Sequence, residues 1–132
     1  MQRVFYVLTL FSVSLALGCG NAAVVTGTAK MADGTVIDRG TVSFFGENDM
    51  YTATIRSDGT FSPGVMRDGE GVPPGVYRIS VSGVTREVMR PGSDYPDHVS
   101  LIAERYASRE TSGLVIDTNQ TRTIDLVLDP AN

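Results

Sequence analysis

Apolar and polar residues alternate in short stretches along most of the chain. The clearest stretch is Val76–Ser82, which follows the turn sequence Pro73–Gly75 and places Tyr77, Ile79 and Val81 on one side. A period of two positions is typical of a β-strand with one buried face, and a Pro-Pro-Gly turn is a rigid start for such a strand. We therefore predict a half-buried strand over these residues.

Similar alternation recurs at regular spacing, with glycine, proline and aspartate between the stretches. In the stretch that ends at Phe45, the Phe45 side chain falls on the outer face. Short strands at regular intervals are typical of sandwiches, so the predicted fold is an all-β, antiparallel β-sandwich of about seven strands. The other predicted strands are Ala23–Lys30, Gly40–Phe45, 51–56, 114–117 and 123–128, with Phe61 continuing the core face after the third.

Turn sequences predict how neighbouring strands connect. Asp58-Gly59 lies between two alternating runs and is the strongest hairpin signal, so we expect a two-residue turn with a positive φ at Gly59. Asn119–Thr121 is expected to form a hairpin loop between the last two strands. Gly27, inside the first strand, predicts a bulge or a close backbone approach.

Residues 1–18 have the features of a removable signal peptide. Val4–Leu17 is an uncharged, mostly apolar run of fourteen residues, too short to cross about 30 Å of hydrocarbon as a helix. Leu15–Cys19 resembles the lipobox of bacterial lipoproteins, in which the cysteine is lipidated and becomes N-terminal. Cys19 is the only cysteine of the chain, and a free thiol is a liability in an oxidising compartment. We expect lipidation; the alternative is a plain secretory signal in which Cys19 has no role.

This interpretation divides the chain into a signal peptide at 1–18, a lipidated cysteine and tether at 19–22, and a sandwich domain at 23–129. A multiply acylated cysteine is a stable anchor, so the predicted location is the bacterial cell envelope. Gly20 stands where Gram-negative lipoproteins kept in the inner membrane usually have aspartate, which favours the outer membrane, on its periplasmic or surface side. Residues 83–113 are predicted to form one long loop, and loops of that length are usually functional or mobile.

Composition excludes several classes of function. A net charge of −4 argues against nucleic acid as a partner, because phosphate binding needs a basic surface. One cysteine and one histidine are too few for a Cys/His zinc site or a Cys-His dyad. The acidic residues of the turns lack EF-hand spacing, so we expect them to stabilise turns and predict no metal and no cofactor.

Four segments resemble, in their order and spacing, the carboxypeptidase regulatory-like domain. This family has a transthyretin-like (prealbumin-like) seven-stranded β-sandwich, and the resemblance covers about residues 23 to 128. It extends to the short lipoproteins of planctomycete-type bacteria, although Ala103 and Arg105 stand where those proteins usually have proline and lysine. The four segments are Val25–Thr28, Gly40–Phe44, Ser57–Phe61 and Val72–Tyr77.

The resemblance implies a non-catalytic domain. In metallocarboxypeptidases it lies beside the catalytic domain and carries no zinc ligands, and the stand-alone lipoproteins have no established activity. Hydroxyisourate hydrolase, an enzyme on this fold, uses several histidines, an arginine and a C-terminal Tyr-Arg-Gly-Ser, whereas this chain has one histidine and ends Leu128–Asn132. Starch-binding-like relatives make carbohydrate an alternative ligand.

The remaining candidate chemistry is concentrated in residues 83–113. His98 would need a nucleophile and an orienting acid to act as a general base, and a solvated histidine is the simpler interpretation. Tyrosine and arginine are typical of contact surfaces. An alternative for Tyr106 is that it closes the open end of the sandwich together with Leu101. The candidate partner or ligand contacts are Arg86, Arg90, Tyr95, Arg105 and Tyr106.

We therefore expect a lipid-anchored envelope protein with a structural or partner-binding role, no catalytic activity, and an envelope protein or polysaccharide as partner. The alternative is a carbohydrate-binding module, and an enzyme using His98 comes third. An interaction protein should show an apolar or edge-strand patch. A carbohydrate module should show exposed tyrosines in a row or in the 83–113 region, and an enzyme should show His98 in a pocket beside a carboxylate.

Overall fold

The structure, a computed structural model, describes residues 22–64 and 67–132. Over these residues the chain is all-β, with nine strands and one short 3₁₀ helix at Glu104–Ala107. No helix in this part of the chain is long and apolar enough to span a membrane. The predicted signal peptide and Cys19 lie outside the described residues. The strands are β1 Thr26–Met31, β2 Thr41–Phe45, β3 Met50–Thr54, β4 Thr60–Phe61, β5 Val76–Ser82, β6 Thr85–Val88, β7 Asp97–Ser100, β8 Leu114–Asp117 and β9 Thr123–Leu128.

The strands form three sheets. One has the order β4-β1-β9, the second β3-β2-β5-β8, and the third is the β6–β7 hairpin. The three-stranded and four-stranded sheets contribute side chains to one hydrophobic core, which makes the arrangement sandwich-like. Alternation in β5 is confirmed, since Tyr77, Ile79 and Val81 are buried while Arg78 is exposed.

The two core sheets meet through aromatic side chains. Phe44 of β2 and Phe61 of β4 have ring centroids 6.3 Å apart. Gly27 lies opposite Phe61 in the β1–β4 register, and a Cβ at Gly27 would lie only 2.2 Å from the Phe61 ring. Gly27 therefore makes room for the Phe61 ring, a side-chain contact rather than the predicted bulge or close backbone approach.

The 83–113 region is not one long loop, and that prediction is wrong. Thr85–Val88 and Asp97–Ser100 pair as the β6–β7 hairpin, and Glu104–Ala107 forms the 3₁₀ helix. The described residues thus form nine strands rather than about seven. Neither strand of the hairpin has a fully buried residue, so no apolar alternation reveals it in the sequence.

One pairing differs in direction from the predicted antiparallel sandwich. β1 and β9 are parallel, from Thr26 opposite Thr123 to Met31 opposite Leu128. Alternation within a strand reports which face is buried and carries no information on the direction of a distant partner.

The Asp58-Gly59 turn forms at the predicted place, but it is not a two-residue hairpin. Gly59 has the expected positive φ, 83°, and Asp58 does not. The Arg56 N–H donates to the Thr60 carbonyl at 2.9 Å, with three residues between them. β3 and β4 belong to different sheets, so this turn carries the chain from one sheet to the other.

The Asn119–Thr121 turn also connects two sheets, and the predicted hairpin between the last two strands is wrong. β8 belongs to the four-stranded sheet and β9 to the three-stranded one. The Asn119 N–H donates to the Asp117 carboxylate at 3.0 Å, and the Thr121 N–H donates to the Asp117 carbonyl at 3.1 Å. Such local hydrogen bonds within a turn stabilise the turn but do not specify which strands pair.

The sandwich has two ends. At the corner end β5 begins after Pro73–Gly75, and the described chain enters through Ala23, whose N–H donates to the Val72 carbonyl at 2.6 Å. At the hairpin end β5 leads into β6–β7, and the Ala131 N–H donates to the Leu101 carbonyl at 3.0 Å. The length of β5 separates the two ends by about 20 Å.

Candidate partner-binding surfaces

The β6–β7 hairpin stands apart from the core. Its strands pair over four residues each, and none of those residues belongs to the core cluster among the described residues. Val84 and Ile102, 3% and 4% exposed, attach its base to the core. A two-stranded sheet with both faces in solvent is only marginally stable by itself.

Three of the five predicted contact residues lie on this hairpin. Arg86 is exposed on β6, Arg90 is exposed just after it, and the connecting loop holds Tyr95, which is 79% exposed. Arg90 forms an ion pair with Asp97, and an exposed pair of this kind contributes about 1 kcal/mol or less. Arg86 makes no ion pair within the described ranges.

The other two predicted contact residues lie in the 3₁₀ helix, where Tyr106 closes the hairpin end. Tyr106 is 2% exposed, and its hydroxyl accepts hydrogen bonds from Arg105 Nη2 at 2.7 Å and from the Asp129 N–H at 3.0 Å. Bonding to the Tyr106 hydroxyl, and then to the Asp129 carboxylate, raises the pKa of Arg105. Tyr106 is therefore a buried plug. Leu101 is not part of it, because Ile102 takes the buried position.

His98 lies on the exposed strand β7, opposite Glu87 of β6. It lines neither the groove at the corner end of the sandwich nor the groove at the hairpin end. No group of three or more histidine, cysteine, aspartate or glutamate side chains in the described part of the chain is placed to hold a metal ion. His98 therefore lies outside both grooves, whereas a general base must lie within hydrogen-bond reach of a bound substrate.

The described tyrosines do not form an exposed row. Tyr51, Tyr77 and Tyr106 are buried, and Tyr95 alone is exposed. Burial raises the pKa of Tyr77, with smaller contributions from Tyr51 and Asp49. A row of stacking platforms of the kind expected for a carbohydrate module is thus not present among these residues.

The outer face of the four-stranded sheet changes character along its length. Toward the hairpin end it carries hydroxyl side chains, namely Thr41, Ser43, Thr52, Thr54, Ser80 and Ser82. Toward the corner end one cross-strand row carries Met50, Phe45, Arg78 and Val115, with Val76 two positions before Arg78 on the same face. We call these five residues the corner patch. Exposed apolar patches are typical of interaction sites.

The corner patch is open to solvent. Met50, Val76 and Val115 are 57%, 60% and 59% exposed, although each stands on a well-paired strand. Arg78 is also exposed and makes no ion pair in the described ranges. The patch therefore combines apolar surface with an available guanidinium, which can bind a carboxylate or a phosphate.

A groove of about 750 Å³ opens beside the corner patch. Its walls are the turn 46–49, the corner 73–75, and Arg109 with Glu110. The Arg109 guanidinium lies 4.9 Å from the centroid of the Phe45 ring and pairs with Glu110 at 2.9 Å. Hydrogen bonds from Ser108 and then from Arg109 lower the pKa of Glu110 to about 2.

The corner patch is not apparent from the sequence. Met50, Val76 and Val115 occupy outward positions of strands, where single apolar residues are common. Only the register shows that they are neighbours. The one available signal was Phe45, whose outward position follows from the alternation of β2 and is confirmed.

No family model, curated protein or solved structure matches this chain. What the protein does must therefore follow from its own residues, above all from the corner patch and the β6–β7 hairpin.

Proposed function

We propose that this chain is a lipid-anchored, non-catalytic protein of the bacterial cell envelope that binds a partner protein through its β6–β7 hairpin. The observation that carries the proposal is the exposure of both faces of the hairpin, outside the core cluster. A two-stranded sheet gains stability when it packs against another surface. A partner that covers the hairpin supplies that surface.

The exposed side chains of the hairpin indicate the chemistry of the partner. Tyr95 and Met89 are 79% and 61% exposed, and tyrosine, methionine and arginine are enriched where proteins contact each other. Arg86 makes no ion pair among the described residues. We expect a partner surface that combines apolar side chains with a carboxylate for Arg86.

The anchor is the acylated thiol of Cys19 after removal of residues 1–18, and the outer membrane is the proposed location. Ala23, held against Val72, lies four residues after Cys19. Four residues span about 14 Å at most. The lipid then holds the corner end near the bilayer, and the hairpin end lies about 20 Å from the corner end along β5, where a partner can reach it.

Two observations support a non-catalytic member of the carboxypeptidase regulatory-like group. The four segments that resemble this family form β1, β2, the turn with β4, and the corner with the start of β5. His98 lies on an exposed strand and lines neither groove. Both fit a domain that presents a surface rather than a reaction centre.

Capture of the partner from envelope extract tests the hairpin. The acylated protein is compared with the double variant Arg86→Ala, Tyr95→Ala and with a matched control, Lys30→Ala, Val127→Ala, whose residues are exposed neighbours on β1 and β9. We expect the hairpin variant to retain about a tenth of the partner or less, because central aromatic and arginine contacts dominate interfaces. Equal capture by both variants contradicts the proposal.

A glycan array with the same proteins separates partner binding from the carbohydrate alternative. We expect no glycan to be retained. Glycan binding that is lost in Tyr95→Ala would favour the carbohydrate-binding module instead, since Tyr95 is the exposed tyrosine of the described chain.

Cys19→Ser tests the anchor. We expect the variant to remain unprocessed or unlipidated, because serine offers no thiol for acylation. The checks are the mass of the purified chain and its distribution between membrane and aqueous fractions. Normal maturation and normal membrane partition of Cys19→Ser would contradict the anchor.

A further inference from the structure

We infer that the corner patch and its groove rest on the surface of the same phospholipid bilayer that holds Cys19. The inference depends on the proposed lipid anchor and adds to it a second membrane contact and a fixed orientation. The occupant of the patch is thus a lipid surface.

Chain length places the patch next to the anchor. Ala23 is hydrogen-bonded to Val72, and the next residues, Pro73 and Pro74, form one wall of the groove. At about 3.6 Å per residue, Cys19 lies within about 14 Å of Ala23. The tether therefore keeps the corner end, where the groove opens, close to the bilayer.

The side chains of the patch suit the boundary between headgroups and acyl chains. Met50, Val76 and Val115 are more than half exposed, and contact with lipid removes this apolar surface from water. Arg78 can bind a lipid phosphate while its stem lies on the apolar surface.

The charges around the groove indicate whether apolar contact or electrostatic attraction to anionic lipid dominates the membrane contact. Arg78 and Arg109 line the groove together with Glu47, Asp49 and Glu110, so the site has no excess of positive charge. A contact driven by anionic lipid needs a cluster of basic residues. We therefore expect apolar contact to dominate and the anionic lipid content to have little effect.

The contact explains why the two ends carry different surfaces. Acyl chains alone leave a tethered domain free to rotate above the membrane. A second contact, through the outer face of the four-stranded sheet, prevents this rotation and fixes which face of the domain meets the bilayer. The patch then determines orientation, while the acyl chains determine affinity.

Single-site fluorescence on the acylated full chain tests the inference. Acylation consumes the thiol of Cys19, the only natural cysteine, so an introduced cysteine can be labelled alone. Val76→Cys probes the corner patch and Val99→Cys is the matched control on the hairpin, at valines 60% and 41% exposed on strands. Val115→Cys is a second probe of the patch in case Val76→Cys folds poorly. The label is nitrobenzoxadiazole, in vesicles of phosphatidylethanolamine with or without phosphatidylglycerol.

We expect the patch label to shift its emission to the blue and to be quenched by nitroxide lipids at least threefold more than the label at position 99. The difference should persist without phosphatidylglycerol. Equal quenching at all sites, or labels at 76 and 115 that stay in water on an acylated chain, overturns the inference and leaves the anchor and the hairpin proposal intact. A chain that cells do not acylate overturns both the anchor and this inference.

Discussion

The same strands run through both ends of the sandwich, yet the two ends expose different chemistry. On the outer face of the four-stranded sheet, hydroxyl side chains near the hairpin end give way to Met50, Phe45 and Val115 near the corner end. The inner face is apolar throughout. The comparison shows that the core constrains only one face of a strand. The other face can therefore change along its length, and such a change marks a functional surface.

A buried tyrosine closes each end, and the two are held differently. Tyr77, at the corner end, has edge-to-face ring contacts at 6.3 Å with Phe44 and 5.9 Å with Tyr51, and its hydroxyl donates to the Pro73 carbonyl. Tyr106, at the hairpin end, also packs in the core cluster, but its hydroxyl is bonded to Arg105 and Asp129. Aromatic ring contacts are thus particular to the corner end, and a side-chain polar network is particular to Tyr106 at the hairpin end.

Truncation of the two tyrosines should have the largest effect. We expect Tyr77→Ala to lower the free energy of unfolding by about 4 kcal/mol and Tyr106→Ala by about 3 kcal/mol, because both leave cavities but Tyr77 loses two aromatic contacts as well. Urea unfolding measures both. A larger loss for Tyr106→Ala would reverse the comparison.

Substitution of two turn glycines at the hairpin end distinguishes the cost of backbone strain from the cost of steric crowding. A Cβ at Gly59, with φ 83°, would lie 2.7 Å from Val36 Cγ1 and 3.0 Å from the Ala29 carbonyl oxygen, whereas Gly34, with φ 92°, has nothing within 4 Å. We expect Gly59→Val to cost about 3 kcal/mol and Gly34→Val about 1.5 kcal/mol. Equal shifts of the urea midpoint would mean that the Gly59 turn relaxes without a steric penalty.

Hydroxyl bonds at the two ends should differ in strength. Thr118, fully buried at the corner end, accepts from the Gly75 N–H at 2.9 Å and donates to the Gly75 carbonyl at 3.2 Å. We expect Thr118→Val to cost about 2 kcal/mol, because the Gly75 N–H loses its partner. At the hairpin end Ser100→Ala loses two bonds with Ile102, one donated to its carbonyl at 2.9 Å and one accepted from its N–H at 3.3 Å. Ser100 is exposed, so water can replace both bonds and the cost should be about 0.5 kcal/mol. Thermal unfolding compares the two, and a cost for Ser100→Ala as large as that for Thr118→Val would contradict the account.

The smallest effect should come from Glu110 beside the groove. Its pKa is lowered from 4.5 to about 2, so the folded state favours the ionised form. This contribution to stability is complete above pH 4.5 and is lost as the pH falls toward 2. The stability difference between the natural chain and Glu110→Gln should shrink over that window, and Glu87→Gln on the hairpin is the control. A difference that is constant from pH 6 to 2 would rule out this contribution.

The inner face of the fold was predictable from the sequence, because burial imposes a period of two on each strand. Tyr77, Ile79 and Val81 are buried as expected, and Gly59 has its positive φ. Sheet membership and direction were not predictable. The turn at Asp58 forms by local hydrogen bonds to Thr60, and these bonds are the same whether the chain returns to its own sheet or crosses to the other.

The candidate surfaces were predictable only in part. Composition pointed to Arg86, Arg90 and Tyr95, and all three are exposed. It also pointed to Tyr106, which is buried, since an aromatic residue in an irregular segment is as suited to a plug as to a contact. The corner patch depends on register between four strands, and no local pattern encodes it.

The most direct test of the two-ended account is photo-crosslinking in living cells, with a photoreactive amino acid at Val76 or at Tyr95. These positions are 60% and 79% exposed and lie at the corner end and the hairpin end. The account predicts a lipid adduct without a protein adduct at position 76, and a discrete protein adduct at position 95. A protein adduct at position 76 with none at position 95, or the same adducts at both, would contradict it.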